Sequence, residues 1–304
     1  MIKFGVNILN FGSGTGPESL SGWAGYAEDR GFHLAMISDH VAVTPDVATQ
    51  YPAPFYDPFA TLSWLAGRTS RIELGTTVVI VPYRHPLLTA RMAANIDRFS
   101  GGRFVFGIGV SWPEQEYAAL GVPFGRRGAI TDEYLEVIIA AWENDVITHD
   151  GEFVSFADVQ TGPRPLRRPP VWVGGGSPAA LRRTARFGDA WHPLNVRLDW
   201  LREEGLPGLR KAADQAGRPV PAFAPRLPLR LTTTPLDDDS RLAGQGTLDQ
   251  IRGDLEALAA LGASSILFDT YPGPEEGVRP LEDDLRMLDA IVETAIDLEA
   301  ATLR

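Results

Sequence analysis

The 304-residue chain is predicted to fold as a (β/α)8 TIM barrel with insertions after strands 2 and 4. Three observations predict it. Eight short apolar runs alternate with helical patterns. The runs show little in–out alternation, as strands buried on both faces do. The length also suits one barrel with insertions, since about 250 residues is typical. The chain is therefore read as one domain, residues 1–304. A doubly wound sheet is the alternative, but it wants a phosphate fingerprint after its first strand. That position reads NFGSGTG, and the later GIGVSW (107–112) also lacks the G-x-G-x-x-G spacing.

The expected strands cover 3–8, 34–38, 72–80, 104–109, 171–174, 190–194, 227–233 and 264–269. Between the first two, Leu20, Trp23, Ala24 and Ala27 repeat at helical spacing, and Gly31 offers a C-terminal cap. The segment 42–58, with four prolines and three aromatics, reads as a long loop after strand 2. Residues 148–170 read as a small hairpin around Asp150-Gly151, then a proline-rich approach to strand 5. Ala180, Leu181, Thr184 and Phe187 mark the next helix, closed by Gly188. Leu255, Leu258 and Ala259 mark the last clear one, with Thr247 and Gln250 as a capping box and Gly262 as the stop.

Composition excludes several classes of function. With no cysteine there are no disulfides, thiolate metal sites or cysteine nucleophiles, and a reducing cytoplasm is the expected location. The five histidines have no metal-binding spacing, and no G-x-S-x-G occurs, so neither a metal site nor a serine hydrolase is expected. A net charge of -11 disfavours nucleic acid, and no 18-residue apolar stretch offers a membrane span.

The C-terminal strand ends are where a barrel keeps its active site. Three stretches fall there. MISDHV (36–41) ends strand 2 with Asp39 and His40, which serve either as a turn-forming Asp with a packed His, or as a carboxylate and imidazole for binding and proton transfer. VGGGSPAAL (173–181) ends strand 5 in Gly174, Gly175 and Gly176, with Ser177 at the N-cap and Pro178 at N1. Such a helix start suits a phosphate, though a well-capped tight turn would look similar. LGTTVVIVPYRHP (74–86) ends strand 3 with Thr76 and Thr77, either facing the mouth or acting as β-branched filler.

Together these stretches resemble the luciferase-like monooxygenase superfamily, in particular its branch of oxidoreductases using the deazaflavin F420. SDHV, LGTTVVIVPYRHPLLTA, DRFSGGRFVFGIGVSWPEQEYAALGVPFGRRG (97–128) and PPVWVGGGSPAALRRTARFGDAWHP (169–193) carry the resemblance over about two-thirds of the chain. It implies a flavin-like coenzyme at the barrel mouth, its phosphate on Gly174–Gly176 and Ser177. It also implies a non-proline cis peptide at Thr77–Val78 under the ring, and Asp39 and His40 beside it. Thr76, Thr77, Val78, Gly109 and Ser111 complete the expected coenzyme site. His40 is the expected acid/base with Asp39 as its neighbour. Phe11, Tyr51, Phe55, Tyr56, Tyr83 and Trp112 are the expected apolar substrate wall.

The chain departs from the sugar-phosphate dehydrogenases of that branch, which carry a carboxylate where it has Trp112. Only Lys3 and Lys211 are available to hold a substrate phosphate. Ala190 also replaces the usual glycine before the strand-6 tryptophan. The expected reaction is hydride transfer between F420 and a small organic molecule, in a homodimer. An FMN-dependent two-component monooxygenase, or a barrel that binds flavin without catalysis, is the alternative. Residues 164–186, with RPLRR (164–168), Arg182, Arg183 and Arg186, are expected to form a basic rim for the glutamate tail of F420, unless they are simply a solvated face.

Overall fold

The computed structural model describes all 304 residues. Its centre is a curled parallel sheet: β1 (Lys3–Ile8), β2 (Leu34–Ile37), β3 (Glu73–Thr76), β4 (Phe104–Gly109), β5 (Val171–Gly174), β6 (Ala190–His192), a seventh segment, and β8 (Ser265–Asp269). The seventh segment has two parts, Ala222–Phe223 against β6 and Arg226–Pro228, here β7, against β8. Between them Pro225 has no N–H to give, but its carbonyl accepts from Leu267 N–H. The architecture is that of an α/β sheet curled in the manner of a TIM barrel, with helices packed outside.

Strand periodicity divides the interior in two. Leu34 and Met36 of β2, with Val105, Trp172, Ala190, Ala224 and Leu267 from other strand segments, form an apolar cluster inside the curl. The opposite faces join the helices in a cluster of 62 buried residues. Close approach within the curl requires glycine: a Cβ on Gly107 would lie 1.8 Å from the Thr76 carbonyl oxygen. Two residues further along each strand the inward positions turn polar. Ser38, His192, Arg226 and Asp269 follow the apolar layer by that period-two step, and Asn7 and Thr77 follow Gly5 and Gly75 in the same way. Thr77, His192 and Arg226 among them line the floor of the site, with Asn7 and Asp269 beneath.

Several boundaries differ from the sequence reading. The expected third strand, 72–80, is broken by a cis peptide at Thr77–Val78, after which Val79–Ile80 pairs with β4. The expected seventh strand, 227–233, begins earlier. Arg230–Leu231 pairs with Gln245–Gly246 instead of continuing it. The hairpin is Val146–Asp150 against Ser155–Gln160. Helices run over Pro17–Arg30, Pro178–Phe187 and Leu248–Ala260, the first ending in left-handed Gly31 and the last opening with the Thr247–Gln250 capping box. No helix is long and apolar enough to cross a membrane.

One buried carboxylate makes stability depend on pH. Asp284, in the first turn of helix Leu281–Thr294, is buried, with one oxygen unpartnered. Burial, with Asp269 and Asp283 adding, pushes its carboxyl up to about 7. A carboxyl held above its unfolded value of about 3.9 favours the fold when protonated, and that benefit is lost as pH rises through the folded value. Asp284→Asn should therefore stabilise the protein by about 2 kcal/mol at pH 8 and by little at pH 4. Urea unfolding at the two pH values checks the sign.

Candidate active site

A cleft of about 570 Å³ opens at the C-terminal strand ends. Its wall on the β2 side is Ser38, Asp39, His40 and Tyr51. Loop residues Val110, Ser111 and Trp112 overhang it from β4, and Leu194 from β6. On the β5 side lie Gly174–Ser177, Arg127 and Arg183. The floor is Thr77, Val78, Gly109, His192 and Arg226.

His40 does not pair with Asp39. Its Nδ1 is 2.7 Å from Oε2 of Glu116, whose carboxylate has no exposed surface. Adjacent residues of an extended segment point to opposite sides, so Asp39 turns away. It accepts both terminal nitrogens of Arg84, at 2.7 and 2.9 Å, and the Ile80 N–H at 3.0 Å. Asp39 is thus a fully bonded tie between the exits of β2 and β3, although part of it borders the cleft.

Glu116 belongs to helix Glu114–Ala119 after β4. Its Oε1 accepts the N–H groups of Val41 and Ala42, and its Oε2 accepts the Tyr83 hydroxyl as well as the His40 ring N–H. Burial alone would push this carboxyl up. The bonds and charge from His40, with the Ala42 N–H and the Tyr83 hydroxyl, outweigh burial and hold it below the usual carboxylate range. Because a carboxylate only accepts, Nδ1 of His40 carries a proton and Nε2 is left for the cleft. The ring is held edge-on by Phe55 and tilted against Tyr51, at centroid distances of 5.3 and 5.4 Å.

The floor is a second network. His192 donates from Nδ1 to the Ala224 carbonyl and accepts the Thr77 hydroxyl at Nε2, 2.9 Å away. Burial, with Arg226 adding, drives its pKa down to about 4, so it is neutral. Arg226 reaches Thr77 O at 2.6 Å and is paired with Asp269 at 2.6 and 3.0 Å. Asn7 completes Asp269 at 2.9 Å.

At the far end, Gly175 takes φ 96°, a left-handed conformation open to glycine, and an added Cβ would sit 3.2 Å from Ala180 Cβ. Ser177 caps the ten-residue helix through its Oγ, which accepts Ala180 N–H. The first turn of this helix, through Ser177, Ala179 and Ala180, lines the cleft beside Arg127 and Arg183, and a helix start next to two guanidinium groups suits a phosphate. Arg183 also pairs with Asp132 at 2.6 Å.

The structure brings most of the expected residues to this one cleft: Asp39, His40, Tyr51, Thr77, Val78, Gly109, Ser111, Trp112, Gly174, Gly175, Gly176 and Ser177. Five others lie elsewhere, among them Tyr56, which packs against the core with its N–H bonded to Asn10 O. Thr76 is buried and its hydroxyl bonds the Gly107 carbonyl. Phe11 is buried behind Tyr51 and Phe55, and Phe55 backs His40. Tyr83 stands behind Glu116 as its hydroxyl donor. The expected basic rim is also displaced. RPLRR precedes β5, at the opposite end of the sheet from the cleft, where Arg167 bonds Gly102 O and Arg168 pairs with Asp189. Arg183 alone of that segment borders the cleft, while Arg182 lies in an adjoining groove and Arg186 pairs with Glu136. Sequence reasoning missed Glu116, Arg226 and His192. The last two were detectable as polar residues two steps beyond inward Ala224 and Ala190.

The model of the luciferase-like monooxygenase family matches residues 2–242. The chain belongs to that family. Among its relatives, an F420-dependent glucose-6-phosphate dehydrogenase of Kineococcus radiotolerans is 30% identical over 207 residues, 66% of this chain and 60% of the relative. Two solved structures share the fold. An F420-dependent secondary alcohol dehydrogenase bound to an F420–acetone adduct superposes with TM-score 0.80 at 15% identity, covering 97% of this chain and 99% of that one. Monooxygenase RslO1 from Streptomyces bottropensis does so with TM-score 0.77 at 21% identity, covering 96% and 98%.

Removing Glu116 should cost more than a single contact, since it strands four donors. Glu116→Ala should lower unfolding free energy by about 3 kcal/mol or more. Glu116→Gln should cost less. A carboxyl held below its unfolded value adds stability above that value and loses it as pH falls through the folded one. The gap between wild type and Glu116→Gln should thus be full at neutral pH and narrow below about pH 4. Denaturant titrations across pH measure both effects.

Proposed function

We propose that this protein is an oxidoreductase that uses F420 in a complete (β/α)8 barrel, with the segments 42–58 and 148–170 as insertions, and acts on a small organic molecule. The observation that carries this reading is that one cleft holds both a phosphate-type helix start and a histidine fixed by a buried carboxylate. The F420-dependent relative and the F420-dependent structural neighbour support the choice of coenzyme. A groove sharing Gly176 with the cleft carries Arg182 and Lys211, cations on the path of an anionic coenzyme tail.

Gly174, Gly175, Gly176 and Ser177 would hold the phosphate, with Arg127 and Arg183 beside it. Thr77, Val78, Gly109 and Ser111 would border the ring. When bound, F420 supplies hydride chemistry with little reactivity toward oxygen. The chain's own residues do the rest. Glu116 fixes the His40 ring, so that Nε2 faces the cleft to give or take one proton. Thr77 and Arg226 hold the floor rigid. Trp112 and Leu194 cover the cleft and limit water.

The FMN-dependent monooxygenase reading keeps the same barrel and phosphate turn, and the match to RslO1 favours it. Coenzyme affinity separates the two. F420 should bind at least about tenfold more tightly than FMN, a difference of about 1.4 kcal/mol. Fluorescence titration with each coenzyme measures this, and equal or tighter FMN binding would move the protein to the monooxygenase reading. With F420 bound, His40→Ala should lower turnover by about 10²-fold or more. Its melting temperature should change far less than that of Glu116→Ala. Near-normal turnover would reduce His40 to packing.

A further inference from the structure

The charges around His40 say what kind of molecule can lie beside it. Two carboxylates, Asp39 and Asp57, share the one guanidinium of Arg84. Arg226 is neutralised by Asp269. Glu116 adds another carboxylate, held ionised. Of the cations lining the cleft, Arg226 and Arg183 have carboxylate partners, and only Arg127, on the β5 side, has none. Lys3 is bound to Glu73 at the opposite end of the sheet, and Lys211 lies in the groove beyond Gly176. Arg127 and Arg183 are on the β5 side with the phosphate turn.

Apolar side chains also border the cleft on this side. Trp112 and Leu194 border the cleft with 46% and 47% of their surface exposed, so a bound molecule could cover them. Tyr51 forms the wall next to His40, backed by Phe11 and Phe55. An anion placed here would lose its hydration and meet uncompensated carboxylates, which costs free energy that no side chain returns. An apolar molecule would instead cover Trp112 and Leu194.

We propose that the substrate is an uncharged, flat and largely apolar molecule, seated between Trp112, Leu194 and Tyr51, and that Trp112 is a specificity-determining residue. This rests on the functional reading above, because it assigns the β5 side to the coenzyme phosphate. It excludes sugar phosphates and free carboxylates as substrates of this site.

The test uses a matched pair of probes. Methyl cinnamate and cinnamate share a skeleton and differ by one negative charge; glucose 6-phosphate is the third probe. Each is titrated calorimetrically into protein saturated with oxidised F420. Methyl cinnamate should bind at least about tenfold more tightly than either anion. Trp112→Ala should weaken it about fivefold or more, and Trp112→Phe less, with folding checked by thermal melts. Cinnamate or glucose 6-phosphate binding as tightly, no measurable binding of methyl cinnamate, or unchanged affinity in both folded variants would overturn the proposal. If F420 does not bind, the coenzyme assignment fails by itself. The same titrations with FMN or inorganic phosphate on the turn then still decide the charge preference.

Discussion

The site depends on one buried carboxylate. Glu116 arrives on a short helix after β4 and bonds to three groups from the exit of β2 and one from the exit of β3. A charge without exposed surface is tolerable only when its oxygens are filled by donors, and here all four donors are supplied. The loop after β2 is thereby pinned, and the same contact chooses which His40 nitrogen carries the proton. The loop's own residues reinforce the anchor, because Asp46 accepts Gln115 N–H at 2.9 Å from the next turn of chain. Structure and chemistry are set by a single side chain.

The floor follows the same logic without a net charge. Arg226 and Asp269 cancel, His192 is kept neutral by burial, and Thr77 links the two through its hydroxyl and carbonyl. Each polar group is the last inward position of its strand. An apolar layer below closes the interior, so water and ligand meet chemistry only at the C-terminal end. The walls differ in character: Arg127, Arg183 and a helix start lie on the β5 side, and aromatic and aliphatic surface lies by His40.

Much of this was legible in the sequence. Short apolar runs gave the strand order, and GGGSP gave the tight turn with its Ser177 cap, because backbone requirements there restrict residue type locally. The resemblance also placed the cis peptide at Thr77–Val78, where the structure has it. The partner of His40 was not legible. Glu116 is 76 residues away and sits in an acidic stretch, PEQEY, that reads as a solvated helix start. Asp39 drew the assignment because it is adjacent, yet adjacency in an extended segment separates side chains rather than joining them. The basic run RPLRR misled for a related reason: charge composition does not say which end of a strand the charges occupy. Pro225 hid the seventh strand by splitting it.

The central claim is that one cleft binds F420 with its phosphate on Gly174–Ser177 and its ring within reach of His40. A crystal structure of the protein with F420 bound tests this most directly. The account predicts phosphate oxygens on the amides of that turn, the ring against Thr77–Val78, and His40 still bonded to Glu116 with Nε2 facing the ring's open side. Phosphate density elsewhere, or a His40 ring turned away from the coenzyme, would contradict it.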